Sequence, residues 1–190
     1  MEENQETKIE EVKALYVKVL EKFPSLLFKE PRIDYDSSGG RYAAMSILDE
    51  RGRKDPVVLV GRIFFSLEDS EKEAIFAHEL GHYCTMRNYS VERLKRTSMW
   101  TYRSSFYEAS HALANKRFSH EIKRLQKWTN MREIDADNKA AEAGYGKEVL
   151  QALKKTCEES WENCSMIGQN SLLARISNLE KKLKQEPLIE

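Results

Sequence analysis

Apolar residues recur first with helical spacing, then in short continuous runs, and then with helical spacing again. The first helix is predicted from about Lys8 to Phe23, because apolar residues fall every three or four positions (Ile9, Val12, Leu15, Val19, Phe23). The β-branched run from Pro56 to Val60 is the clearest strand. Two further segments are flanked by Pro, Gly and Ser residues that favour turns, and they are predicted as strands: Arg32 to Tyr35 and Arg41 to Leu48. The sequence therefore predicts three strands.

Helical patterns fill the rest of the chain. Ser70 and Glu73 form a capping-box pair, which predicts that a helix begins there. Later helices are predicted over Val91 to Trp128 (as a pair), Met131 to Ala143 (ended by Gly144), Lys147 to Trp161, and Leu172 to Leu183. Three strands followed by several helices predict an α+β fold, mostly helical with a small sheet in the N-terminal half. We expect residues 1–190 to form a single domain.

Charge and hydropathy exclude several classes of protein. The 31 Lys and Arg balance the 31 Asp and Glu, so there is no general electrostatic attraction to nucleic acid. No apolar run approaches the roughly 18–20 residues that cross a bilayer, and the polar N-terminus lacks the apolar core of a signal peptide. We therefore predict a cytoplasmic protein with no integral membrane span and no nucleic-acid partner. Composition leaves the oligomeric state open.

The cysteines do not form a recognisable framework. Cys84, Cys157 and Cys164 are an odd set without a C-x-x-C pair, which argues against disulfide scaffolding and against a structural cysteine–zinc site. We expect ordinary thiols. A Cys157–Cys164 bond stays open as an alternative, because a helical spacing of seven places both residues on one face.

The strongest chemical signal is His78-Glu79-Leu80-Gly81-His82. On a helix, residues four apart lie on one face, so both imidazoles can reach one metal ion. Glu79 follows the first ligand and can take a proton from a water at that metal. Gly81 costs roughly 1 kcal/mol in a helix relative to Ala, so we expect another backbone to approach closely behind it. The motif predicts one zinc ion per chain.

A catalytic zinc takes three protein ligands, and the third is predicted to be Glu133. Glu133 and Asp137 lie one turn apart, so one carboxylate can bind the metal while the other accepts the free N–H of a ligating imidazole. The alternative is that Glu133 caps a helix with Asn130. His111 is the reserve third ligand.

With these motifs in view, the chain resembles the HtpX and CAAX-prenyl-endopeptidase family of zinc metallopeptidases, in the glutamate-zincin group. The H-E-x-x-H motif matches at His78 and His82, and the later E-x-x-A-D-x-x-A helix matches at Glu133, Ala136, Asp137 and Ala140. A third family segment resembles residues 169–179, where Arg175, Ile176 and Leu179 match.

The resemblance implies a zincin-like fold and a role for each matching residue. His78, His82 and Glu133 would bind zinc, Glu79 would be the general base, and Asp137 would orient a ligand. Arg175 would be a catalytic charge that helps to stabilise the oxyanion. An edge strand ahead of the active helix would pair with the substrate backbone, and either Arg41 to Ser46 or Val57 to Gly61 would serve.

The chain also departs from the family pattern. Gln169 and Asn170 stand where the family has His and Pro, and the membrane helices of the family are absent. Residues 87–128 stand in place of those helices as a basic, aromatic insertion. This insertion is a lid, a surface for peripheral membrane or partner contact, or a pair of core-packed helices.

The predicted function is zinc-dependent endopeptidase activity on a peptide or protein substrate. Two alternatives stay open: a regulatory protease that cleaves a dedicated repressor or antitoxin, and a non-catalytic zinc-binding module. The gap of 51 residues between His82 and Glu133 favours the first family over the regulatory proteases. An intact Glu79 argues against a purely structural zinc site, which has no use for a base.

Overall fold

The computed structural model describes residues 3–23, 29–36, 43–49, 51–96, 119–160 and 166–185. The elements are helix α1 (Glu3–Leu20), strands β1 (Arg32–Asp36), β2 (Ala43–Leu48) and β3 (Lys54–Gly61), a 3-10 turn (Arg62–Ser66), and helices α2 (Asp69–Met86), α3 (Ser119–Ala140), α4 (Gly146–Ser160) and α5 (Met166–Gln185). Residues 91–96 form a further short helical segment. The predicted α+β class, mostly helical with a small sheet in the N-terminal half, is confirmed.

The three strands form one sheet in the order β1-β3-β2. β3 pairs with β1 in parallel and with β2 in antiparallel register, with Met45 opposite Val58. The central position suits β3, because its valines are buried (Val57, Val58, Val60). β2 and β3 are joined by a tight turn in which Gly52, at φ 73°, donates its N–H to the Asp49 carbonyl at 2.8 Å. Among the described strands, β2 lies at one edge of the sheet and β1 at the other.

The main core lies between α1, the sheet and α2. Tyr16 of α1 meets Phe76 of α2 edge to face, with ring centroids 5.2 Å apart, and Phe64 lies against Phe76 at 4.7 Å. Val19 and Val58 are fully buried in the same cluster. These contacts fix the position of α2 relative to the sheet. They thereby also fix the position of the side chains on the opposite face of α2.

The start of α2 differs from the sequence prediction. The cap residue is Glu68, and its capping box is closed by Glu71, whose side chain accepts the Glu68 N–H at 3.0 Å. The predicted pair of Ser70 and Glu73 is wrong, because α2 begins at Asp69 and both residues lie inside the helix. Both pairs have the same spacing of three, so the sequence pattern alone does not distinguish them. Glu73 forms an ion pair with Lys18 of α1.

Helix α3 is longer than predicted. It continues without a break through the predicted boundary at Met131, so Asn130 lies inside the helix and the capping role for Glu133 is wrong. At its other end a wider turn, Ala141–Tyr145, leads into α4. Gly144 has φ 89°, which confirms its predicted left-handed position.

Helix α4 packs on α2, and helix α5 packs on α3 and α4, so that the two helices close the core from the far side. Val149 and Leu153 of α4 and Leu179 of α5 are buried there. Cys84 and Cys157 are free thiols, and Cys164 lies outside the described residues. Among the described helices, none combines the length and the apolar content that a bilayer crossing requires.

Candidate active site

The two motif histidines lie one turn apart on the face of α2 that meets α3. Their ring centroids are 4.6 Å apart, and the rings stand nearly perpendicular at 78°. Both are mostly buried, with side chains 14% (His78) and 9% (His82) exposed. The local i and i+4 geometry predicted from the motif is thus present, with both rings turned towards the neighbouring helix.

Gly81 lets α3 approach this face of α2. A Cβ built on Gly81 would lie 2.3 Å from the Ala136 carbonyl oxygen and 2.9 Å from its Cα. The predicted close approach of another backbone is confirmed, and that backbone belongs to α3. Because α3 contacts α2 at Ala136, the neighbouring residues Glu133 and Asp137 lie close to the histidines. Glu133 lies next to His78 Nε2, and Asp137 lies next to His78 Nδ1.

Glu133 faces both imidazoles. Its Oε2 lies 3.2 Å from His78 Nε2, and its Oε1 lies 3.3 Å from His82 Nε2. One ligand atom from each of these three residues falls within 4.8 Å of the other two. The structure therefore brings together the three metal ligands that the sequence predicted.

The spacing and the donor types fit a zinc ion. Ligand atoms held about 2.0–2.1 Å from a tetrahedral centre are about 3.3–3.4 Å apart. Charge-assisted hydrogen bonds between these groups would be shorter, at about 2.7–2.9 Å. The two Glu133 contacts match the ligand separation more closely. Two imidazole nitrogens and one carboxylate oxygen are also a donor set that catalytic zinc sites use.

Asp137 holds His78 from the opposite side. Its Oδ1 lies 2.8 Å from His78 Nδ1, and the carboxylate is fully buried. A proton on Nδ1 donated to Asp137 leaves Nε2 unprotonated on the side of Glu133, which is the tautomer that a metal ligand needs. His82 is held differently, since its Nδ1 has no hydrogen-bond partner among the described residues.

Arg175 of α5 locks this arrangement. Its Nε and Nη2 donate to the two oxygens of Asp137 at 2.7 and 2.8 Å, a bidentate pair. Its Nη1 lies 3.3 Å from Glu133 Oε2 and its Nη2 lies 3.3 Å from His78 Nδ1. Arg175 thus contacts Glu133, a predicted metal ligand, and Asp137, the residue predicted to orient His78.

The charges in this cluster shift the pKa values of its members. Burial and the Arg175 cation lower the pKa of His78, but hydrogen bonds to Asp137 and Glu133 outweigh them and raise it to about 9. Burial opposes ionisation of Glu133, yet the hydrogen bonds from His78 and His82 hold its pKa well below the usual value. Burial likewise opposes ionisation of Asp137, and the hydrogen bonds from Arg175 and His78 lower its pKa. Both carboxylates are therefore anionic at neutral pH.

Glu79 contacts the sheet. Its Oε2 accepts a hydrogen bond of 2.7 Å from the backbone N–H of Met45 in β2. The outer edge of β2 therefore faces the site. Of the two segments predicted to pair with substrate, Val57 to Gly61 is wrong, because it lies in β3 and is paired on both sides. Arg41 to Ser46 stays a prediction, and its residues from Ala43 onwards lie in β2.

Sequence reasoning missed the Met45 N–H as a member of the site. A backbone group leaves no mark in the residue pattern, and its role depends on how β2 crosses α2. It also missed the apolar residues of α4 that line the space beside Glu79. Their helical spacing is indistinguishable from that of ordinary core residues.

The remaining predictions on this region fall on residues that are not described. His111, the reserve ligand, lies outside the described residues, among which His78, His82 and Glu133 form the candidate metal-binding group. Residues 97–118 of the predicted insertion also lie outside them. The lid, partner-surface and core alternatives for residues 87–128 stay predictions.

Comparison with known proteins agrees with this geometry. A family model for peptidase family M48 matches residues 50–181, more than half of the chain, and this range contains the three candidate ligands, Glu79, Asp137 and Arg175. The chain matches no curated protein and no solved structure. The chain therefore belongs to peptidase family M48, as its resemblance to the HtpX-like zinc metallopeptidases predicted.

Proposed function

We propose that this chain is a zinc-dependent endopeptidase in which His78, His82 and Glu133 hold the metal and Glu79 is the general base. The observation that carries the proposal is the convergence of one ligand atom from each of those three residues within 4.8 Å, beside a second carboxylate, that of Glu79. Membership of a metallopeptidase family supports the same reaction class. A cytoplasmic location and a peptide or protein substrate stay predictions from the sequence.

When bound, zinc supplies Lewis acidity towards the scissile carbonyl and makes a coordinated water more acidic. The protein residues do the remaining work. His78 and His82 present unprotonated nitrogens, and Glu133 adds the negative charge that compensates the cation. Asp137 keeps the His78 proton on Nδ1, so that Nε2 stays available.

Glu79 moves the protons. Its carboxylate borders the open space next to His78, and the Met45 N–H holds one of its oxygens in place. From there it takes the proton of the attacking water and then delivers that proton to the amine that leaves. Such a base contributes about 10²–10⁴-fold to the rate.

Arg175 is better placed to position the ligands than to meet the substrate. Its Nε, Nη1 and Nη2 all contact Asp137, Glu133 or His78. The contacts support a role in which Arg175 holds both carboxylates ionised and in register. The catalytic oxyanion role predicted from the resemblance is the alternative, since a guanidinium has five N–H donors and Arg175 also lines the cavity beside Glu79.

The outer edge of β2 is the surface offered to the substrate backbone. Within the described residues β2 pairs only with β3, so the N–H and C=O groups on its other side face the site. An extended peptide that adds to this edge would cross the histidines with its backbone hydrogen-bonded along β2.

Replacing Glu79 by Gln tests the mechanism. We expect Glu79→Gln to bind one zinc per chain by elemental analysis and to lose about 10²–10⁴-fold in cleavage of unfolded casein, since only the base is removed. The matched control is Glu73→Gln, on the same helix but paired with Lys18, which should cleave at the wild-type rate. Retained activity in Glu79→Gln would end the proposed role.

The same assay separates the alternatives. A chelator should abolish casein cleavage, and added zinc should restore it. A protein that binds zinc but cleaves neither casein nor any other unfolded chain is either specific for a dedicated repressor or antitoxin or is a non-catalytic module. Zinc bound with an affinity unchanged by Glu133→Ala would show that the third ligand lies elsewhere.

A further inference from the structure

Basic side chains gather where the C-terminal ends of β2 and α2 meet. They come from two segments, 49–54 and 87–96, which together contain seven Lys or Arg and three Asp or Glu. Because the two kinds of charge are equal in number over the whole chain, positive charge is concentrated here. Seven cationic residues form this basic surface: Arg51, Arg53, Lys54, Arg87, Arg93, Lys95 and Arg96.

Tertiary contacts hold the two segments together. The Lys54 ammonium group donates to the Arg87 carbonyl at 3.0 Å. Gly52, in the turn between β2 and β3, lies so close to Lys95 that a Cβ built on it would be 2.9 Å from the Lys95 Nζ. Leu94 is buried in a cluster with side chains of β2 and α2. The basic surface is therefore one patch, attached to the end of β2.

Neighbouring acidic groups compensate only part of the positive charge. Arg53 forms an ion pair with Asp49 at 2.8 Å, and Glu92 interacts electrostatically with Lys95 and Arg96. Six of the seven cationic residues are exposed, and the seventh is half-buried. An anionic group that approaches this surface meets its net positive charge, whichever local pairs the individual side chains make.

The basic surface lies beyond the end of the strand edge that is offered to the substrate. Glu79 contacts the N–H of Met45, so the scissile bond of the proposed reaction lies near that residue. Antiparallel pairing is the more stable arrangement for an added strand, and it directs the N-terminal part of the substrate towards Leu48, the last residue of β2. At about 3.3 Å per residue, the substrate reaches the basic surface about four to seven residues before the scissile bond.

The composition of the surface favours an acidic peptide over other anionic partners. Membrane-surface binding uses exposed apolar side chains beside the basic ones. Among the described residues, the large apolar side chains that are exposed lie elsewhere (Val17, Ile63, Met131, Leu173). The zero net charge of the chain gives no long-range attraction to nucleic acid.

We propose that the basic surface is an exosite that binds acidic substrate residues about four to seven positions before the scissile bond. The substrates are proteins with a stretch rich in Asp and Glu on the N-terminal side of the cleavage site. This inference rests on the proposed peptidase function and adds the substrate class to it.

Three peptide pools test the inference with the zinc-loaded full chain. In the first pool, a block of Asp and Glu precedes a randomised uncharged stretch; in the second, the same block follows the stretch; in the third, Gln and Asn replace the acidic block. We expect the first pool to be cleaved at least about tenfold faster than the other two. Mass spectrometry should place the cleaved bonds about three residues after the acidic block. Equal cleavage of the first two pools would overturn the inference, since a general attraction of anions treats both alike.

Salt and kinetics distinguish an exosite from an effect on the chemical step. Raising the ionic strength from about 0.02 M to about 0.5 M should remove the advantage of the first pool, because salt screens exposed charges. For single peptides of the first pool and their Gln counterparts, the advantage should lie in KM, with equal kcat, because the acidic block does not touch the reacting atoms. An advantage that lies in kcat or survives high salt contradicts the inference.

Charge reversal on the surface should remove the preference. Lys95→Glu combined with Arg96→Glu leaves five cationic and five acidic residues in the two segments, so the first and third pools should be cleaved at equal rates. The matched control is Lys181→Glu combined with Lys184→Glu, which makes the same change in total charge at exposed positions of α5 and should keep the preference. A preference that both variants keep, or that both lose, overturns the inference.

Peptide binding separates failure of the inference from failure of the function. By fluorescence anisotropy, zinc-loaded Glu79→Gln should bind the first pool at least about tenfold more tightly than the second. If wild type cleaves none of the pools, the proposed function is contradicted, and this binding comparison alone decides the basic surface. Equal affinities overturn the inference. So does tighter binding to phosphatidylserine vesicles that Lys95→Glu with Arg96→Glu abolishes, since the surface would then bind membranes.

Discussion

The two sides of His78 are built on opposite principles. On the side of α3, most polar groups of the site contact another polar group: Glu133 faces both imidazoles, Asp137 contacts His78, and Arg175 contacts both carboxylates. The exception is His82 Nδ1, which has no hydrogen-bond partner among the described residues. On the other side, the cavity towards α4 is lined mainly by apolar residues, whose contacts within the protein are packing contacts. Buried charges are stable only while all of their partners are present, whereas an apolar wall tolerates changes of shape. Substitutions among the charged groups next to α3 should therefore lower stability and zinc affinity strongly. Substitutions along the cavity should change both much less.

Removing Asp137 should have the largest effect. Asp137→Ala leaves the Arg175 side chain, 15% exposed, without its bidentate partner. We expect the free energy of unfolding in chelator to fall by about 3–5 kcal/mol and zinc affinity to fall about 10–100-fold. Urea denaturation and zinc competition titration measure the two effects.

A double variant serves as the control for that prediction. Asp137→Leu combined with Arg175→Met removes both charges together, and it should recover much of the stability but not the zinc affinity. Equal stability of the single and double variants would show that the pair does not act as a buried unit.

The pH dependence of stability should report on His78. Its pKa in the folded protein is about 9, raised from 6.5 mainly by Asp137 and Glu133. The raised pKa means that this stabilisation is fully present below pH 6.5 and is lost as pH rises through 9. In chelator, the free energy of unfolding should thus fall by about 3 kcal/mol between pH 6 and pH 10.

His78→Gln isolates this contribution, because the difference from wild type removes the titration of all other groups. Zinc competes with the same proton, so the stabilisation by zinc should grow over the same pH range. A wild-type curve parallel to that of His78→Gln contradicts the assignment.

Gly81→Ala should have an intermediate effect. The added Cβ meets the Ala136 carbonyl, so α2 and α3 must separate, with an expected loss of about 1–3 kcal/mol in stability and weaker zinc binding. Gly144→Ala is the matched comparison: its Cβ meets nothing within 4 Å, but φ 89° is strained for Ala. It should lower stability by about 1–2 kcal/mol and leave zinc affinity unchanged.

Lys155→Met, a substitution at the cavity rather than at the charged cluster, should have the smallest effect on stability and zinc affinity. Lys155 is half exposed, and exposed ion pairs contribute about 0–1 kcal/mol. We expect unfolding and zinc affinity within error of wild type, measured as for Asp137→Ala. A large loss of zinc affinity would show that the cavity end and the metal site are coupled.

Local regularities made part of this molecule predictable from the amino-acid sequence. The pairing of His78 with His82 follows from helix periodicity, and the left-handed Gly144 follows from the absence of a Cβ. The β-branched run from Pro56 to Val60 predicted a strand, but its central place in the sheet was not predicted. Each of these inferences depends on residues within a few positions of one another, where backbone geometry leaves few alternatives.

Tertiary structure decided the rest. The choice of Glu68 over Ser70 as the cap depends on where α2 begins after the 3-10 turn, and the unbroken course of α3 excludes Glu133 as a cap and places it opposite the histidines. The partners of Arg175, the bond from Met45 to Glu79, and the cavity between α2, α4 and α5 join segments 34 to 97 residues apart. Contacts of that kind arise from the packing of whole helices and strands, which periodicity along the chain does not encode.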